Sequence, residues 1–71
     1  MIAFSLTCPT RAEVITDLLA IFNRPAWLNL LVSRAEMAYS DAGGMATVQV
    51  ALWGYDSAIR RELREAGVEV E

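Results

Sequence analysis

The sequence predicts an α+β domain whose elements run β-α-β-β-α-β. Three observations carry that expectation. Ile2 to Thr7 and Met45 to Trp53 alternate apolar with polar or small residues, the period of a half-buried strand. The segments after Thr10 and after Asp56 repeat apolar residues at helical spacing. Between the second and third strands, Asp41-Ala42-Gly43-Gly44 has the glycines that a hairpin turn needs for positive φ.

Each element can be justified in turn. In the first strand Ile2, Phe4 and Leu6 face one way and Ala3, Ser5 and Thr7 the other. Pro9 ends it, and Thr10-Arg11-Ala12-Glu13 has capping-box spacing. Val14, Ile15, Leu18, Leu19 and Phe22 then form the apolar stripe of the first helix, which Asn23 and Pro25 stop. Trp27 to Tyr39 reads as a long second strand, with Leu28, Leu30 and Val32 inward and Asn29, Leu31 and Ser33 outward. Continued unbroken, that parity would bury Arg34 and Glu36. A bulge near Ser33-Arg34 places Ala35, Met37 and Tyr39 inside instead. In the third strand Ala46, Val48, Val50 and Leu52 face the core, and Gly54 breaks it. Asp56 or Ser57 is expected to cap a second helix carrying Ala58, Ile59, Leu63 and Ala66, with Gly67 as a left-handed C-cap. Val68 to Glu71 reads as a short last strand.

Right-handed crossovers turn this order into a ferredoxin-like sandwich. Its antiparallel sheet has strand order 4-1-3-2, with both helices on one face. A single domain spanning residues 1–71 is the ceiling, since a chain of this length buries only about 60% of its unfolded surface and is marginal alone. A long apolar edge strand adds to the expectation of a partner surface, most simply a second copy.

Composition excludes several chemistries. The chain has 71 residues, a net charge of −3, no histidine and one cysteine, Cys8. Histidine acid–base catalysis and Ser-His or Cys-His nucleophiles are therefore absent. No disulfide scaffold is possible, and no metal site or cofactor is expected. All six basic residues are Arg, and the net acidity argues against nucleic-acid binding. Central outward positions Ser5, Thr47 and Gln49 also lack the aromatics on which RNA-recognition sheets stack bases. No stretch is long enough to insert in a membrane, and Met1-Ile2-Ala3-Phe4 lacks the basic start of a signal peptide. A cytoplasmic, non-enzymatic protein is expected.

Several segments together resemble the NIL domain, a relative of the ACT domain in topology. Leu28-Asn29-Leu30-Leu31 is similar to the family's Asn-Ile-Leu motif, and Phe4-Ser5-Leu6 to its first strand. Ala20-Ile21-Phe22-Asn23 resembles the end of its first helix. Val48-Gln49-Val50-Ala51-Leu52-Trp53-Gly54 and Leu63 to Glu71 look like its third strand and closing segment. The early third-strand glycine of the family is Ala46 here, and Pro9 is followed by Thr10 where ACT domains have Pro-Gly.

The resemblance implies a regulatory domain that binds methionine or a similar amino acid at a homodimer interface, as at the C-terminus of methionine ABC-transporter ATPases. A transporter or another protein is then a possible partner. The alternative is a ligand-free protein–protein interaction or dimerisation module. Asn29 is the residue the resemblance carries over, and its amide offers two donors and an acceptor to a ligand or to a neighbouring backbone. Leu31 and Met45 join it as candidate ligand contacts. Leu31, Ser33 and Trp53 are the candidate interface on the open sheet face. Cys8 reads as a semi-buried thiol, and Arg60, Arg61 and Arg64, interspersed with Glu62 and Glu65, as a solvated helix face.

Overall fold

A computed structural model describes residues 1–24 and 31–71. Among the described residues the elements are β1 (Ile2–Cys8), α1 (Arg11–Phe22), β2 (Val32–Ala42), β3 (Met45–Gly54) and α2 (Asp56–Glu65). The strands form one antiparallel sheet in the order β1-β3-β2. The described residues thus form a small α+β domain with a three-stranded sheet and two helices.

The alternation of β1 and β3 sets the core. Ile2 lies opposite Leu52, Phe4 opposite Val50 and Leu6 opposite Val48. Ala46, Val48, Val50 and Leu52 are all buried, together with Ile2 and Phe4. Val14, Leu18 and Ile21 of α1 and Ile59 and Leu63 of α2 close over this face. The Phe4 and Phe22 rings pack at 6.5 Å with a 39° tilt, which fastens the end of α1 to the sheet. Ile15 and Leu19, expected in the core, are exposed instead. The buried stripe of α1 runs through Ile21 rather than Leu19, so the helix is rolled away from the expected face.

The helix ends are chemically specified. Thr10 caps α1, its Oγ1 accepting the Glu13 N–H at 3.3 Å. The N-cap of α2 is Tyr55, not Asp56 or Ser57, and no side chain caps it. Asp56 instead accepts a hydrogen bond from the Met1 ammonium at 3.0 Å. At its other end Gly67 takes φ +79°, and the N–H groups of Gly67 and Val68 reach back to Arg64 O and Leu63 O. That is a Schellman motif, with Val68 packed against the core as its apolar latch. Arg24 ties the end of α1 to α2 through Glu62 at 3.1 Å and Glu65 at 3.4 Å.

The second strand differs most from expectation. It runs Val32–Ala42, three residues past Tyr39, while the expected first part, residues 27–30, lies outside the described residues. The expected bulge is present: the register shifts between Val32 and Arg34, where Ser33 Oγ donates to the Trp53 carbonyl at 3.1 Å. The turn is tighter than Asp41 to Gly44. Asp41 and Ala42 stay in the ladder, and only Gly43 and Gly44, at φ +60° and +78°, connect Ala42 to Met45. Downstream of the bulge Ala35, Met37 and Tyr39 lie opposite Leu52, Val50 and Val48, on the helix side of the sheet.

Residues 68–71 carry no strand ladder. The Glu71 N–H donates to Ala3 O at 2.9 Å, and Val68 and Val70 pack against the core. This tail therefore lies beside β1, joined to it by that backbone bond.

Candidate functional site

Two surfaces stand out, and both follow from where the helices sit. The side of the sheet away from the helices carries mainly small and polar side chains. Ala3, Ala51 and Glu36 form one row across the strands. Ser5, Gln49 and Ala38 form the next, and Thr7, Thr47 and Ser40 the third. The hydroxyls of Thr7 and Thr47 share a hydrogen bond at 3.0 Å. Over the first two rows lies an open depression of about 690 Å³, with Glu36, Gln49 and Glu71 as its polar lining. Ser5 Oγ donates to Glu71 at 3.4 Å, at the edge nearest the tail. Trp53 stands at the end of this face. The Arg34 guanidinium lies 4.7 Å from its ring centroid and donates to Glu36 at 2.8 Å.

The second surface is β2 itself. Among the described residues its outer edge has no neighbour, because the sheet order leaves β2 terminal. Every residue after Val32 is exposed. Met37 and Tyr39 face the helix side yet are 47% and 44% exposed, because α1 packs on β1 and β3 and stops short of β2. Arg11, at the start of α1, reaches across to lie 5.0 Å from the Tyr39 ring centroid. One and two turns further along α1, Ile15 and Leu19 are also uncovered. An apolar strip thus runs along this margin of the molecule.

Of the residues expected to form the site, the described ones lie as follows. Asn29 and Trp27 lie outside the described residues. Leu31 does not share an open-face patch with Trp53: it precedes the strand and packs against the core, and its carbonyl accepts the Tyr55 N–H at 3.0 Å. Strand parity does not extend to it. Ser33 is occupied at the bulge. Met45, 38% exposed, sits opposite Ala42 at the hairpin end, about 30 Å along β3 from the Leu31 end. Trp53 does lie on the open face, covered in part by Arg34.

Cys8 is a poor nucleophile. Partial burial raises its thiol pKa, and so do the hydrogen bond it donates to Asp17 at 3.3 Å and the negative charges of Asp17 and Glu13. The thiol therefore stays protonated at neutral pH. The expected bulge placed Met37 and Tyr39 inside, and they are exposed instead. A signal was present in their row: Ala35-Met37-Tyr39 ends on Asp41, whereas the row of Ala46-Val48-Val50-Leu52 is apolar throughout.

Fold and surfaces together define a small α+β domain that, among the described residues, has an uncovered sheet face and an open strand edge. No family model, no curated protein and no solved structure matches the chain. Among the described residues, no helix is long and apolar enough to cross a membrane.

Proposed function

We propose that the chain is a non-catalytic binding module that works as a homodimer joined along β2. The observation that carries this reading is the exposure of β2, ten of whose eleven residues are open to solvent while its outer edge is unpaired among the described residues. A free strand edge is a template for another strand. Sedimentation across about two decades of concentration around the micromolar range tests it. The expected mass is twice the 7.8 kDa of the chain. A folded protein that stays at the monomer mass throughout overturns the proposal.

The same reading completes the sheet. The bond from the Glu71 N–H to Ala3 O supports residues 68–71 as a fourth strand beside β1. The order then becomes 4-1-3-2 of a ferredoxin-like sandwich, the fold that the resemblance to NIL domains implies.

The open depression favours a second reading, a regulatory module for methionine or a similar amino acid. Its lining includes Glu36 and Ala38 of β2, so a second copy paired there continues its wall. Glu36 and Glu71 offer carboxylates to an ammonium group, and Arg34 beside them offers a guanidinium to a carboxylate. Calorimetric titration with a panel of amino acids, methionine first, is expected to give saturable heat. Flat traces from folded, dimeric protein overturn the ligand and leave the dimerisation module standing.

A further inference from the structure

The arginines of α2 and the acids interspersed with them do not neutralise one another. Glu62 and Glu65 both hold Arg24, just past α1, at 3.1 and 3.4 Å. Among the described residues Arg60, Arg61 and Arg64 make no ion pair. Residues 25–30 contain no acid. Ile59 and Leu63 turn one side of the helix to the core, and all three arginines are exposed. Arg60 and Arg64 stand one turn apart on the same side, where like charges repel. Arg64 lies in the last turn and is favoured there by the helix dipole. Arg60, in the middle of α2, has no such compensation.

The two side chains border a depression. Gly67 turns the chain with φ +79°, and the tail then runs beside α2. Arg60, Arg64, Val68, Glu69 and Val70 line a volume of about 390 Å³ between them. Val68 and Val70 are half-buried against the core and supply an apolar wall. Glu69 ion-pairs with neither arginine, so the lining carries two cations against one anion in a chain whose net charge is −3. None of these residues lines the depression on the open sheet face.

We infer that the depression between α2 and the tail binds a small organic oxyanion, with Arg60 and Arg64 gripping its oxygens and Val68 and Val70 packing on its apolar part. A guanidinium presents paired N–H donors in one plane, the geometry that carboxylate and phosphate oxygens accept. Cβ atoms one turn apart on a helix are about 5–6 Å apart, so both arms reach a single such group. The volume falls at the small end of ligand sites, which fits a small molecule. The site is contained within one chain and does not depend on how copies associate.

Amide spectra of isotope-labelled protein, titrated at constant ionic strength, test it. The probes are phenyl phosphate, benzoate and uncharged benzyl alcohol. Saturable shifts confined to residues 60–70 are expected with an anion up to about 10 mM, and none with the alcohol. A response to either anion supports the site, and the ratio of their affinities separates a phosphate from a carboxylate ligand. Arg60→Gln and Arg64→Gln are each expected to weaken the tighter anion about tenfold, through loss of a charge-assisted hydrogen bond. Arg61→Gln removes the same charge outside the depression and is expected to weaken it less than about twofold. Spectral dispersion checks that each variant folds. Absence of saturable shifts at residues 60–70 with both anions overturns the proposal. So does benzyl alcohol binding as tightly as the anions. A loss in Arg61→Gln as large as that in Arg60→Gln overturns it too, because net charge alone would then draw the anion.

Discussion

Gly54→Ala is expected to cost about 3 kcal/mol or more, a large share of the roughly 4–11 kcal/mol available to a domain of this size. The reason is a near-contact between backbones. Gly54 ends β3 with φ +156°, and a Cβ built there meets the Leu31 carbonyl oxygen at 1.9 Å and its carbon at 3.0 Å. Neither atom belongs to a side chain that could swing aside. The Leu31 carbonyl is also held from the other direction by the Tyr55 N–H at 3.0 Å. Relief of the clash therefore breaks that bond and shifts the start of β2, where Val32 pairs with Gly54. The expected result is a urea midpoint far below that of the wild type, with a partly unfolded population at 25 °C. A variant with an unchanged midpoint would show that the two backbones do not approach as described.

Phe4→Ala is the second large effect. Phe4 is 1% exposed and lies within β1, opposite Val50 and against the Phe22 ring. Truncation of a buried phenylalanine costs about 3–5 kcal/mol through lost burial and the cavity left behind. For a domain of this length the corresponding fall in melting temperature is at least about 12 °C. Phe4→Leu fills most of the space and is expected to lose less than about 1.5 kcal/mol. Thermal denaturation at one fixed protein concentration measures both, since the midpoint of a dimer depends on concentration. Equal losses from the two variants would mean that the ring, not the filled volume, holds the site.

The parts of the fold legible in the sequence are those where one local rule acts alone. Thr10 is a cap because its hydroxyl stands three residues before Glu13, and Gly67 a C-cap because no other residue takes its φ cheaply. The row of Ala46, Val48, Val50 and Leu52 is buried because β3 is central. The bulge at Ser33 was legible as the one way to keep Arg34 and Glu36 off the core side. Two elements were not legible in this way. The roll of α1 exposes Ile15 and Leu19, and it depends on how the helix seats between β1 and β3 rather than on its own stripe. The exposure of Met37 and Tyr39 depends on how far α1 reaches across the sheet, which no pattern within β2 encodes. Within one chain Leu31 and Met45 stand near opposite ends of the ten-residue β3, a separation that strand pattern alone does not reveal.

The extra residue at Ser33 also has a meaning for how this strand can change over time. It acts as a frameshift in the fold: the chain before it and the chain after it keep separate counts of inside and outside. Loss of one residue there would restore a regular ladder without exchanging the faces of either part. Between Arg34 and Ala42, where the count is anchored by the two-glycine turn, the same loss would carry Arg34 and Glu36 to the helix side and Met37 away from it. The tolerance of β2 to insertion and deletion is therefore confined to one end, and the span that forms the open edge is held to a single frame.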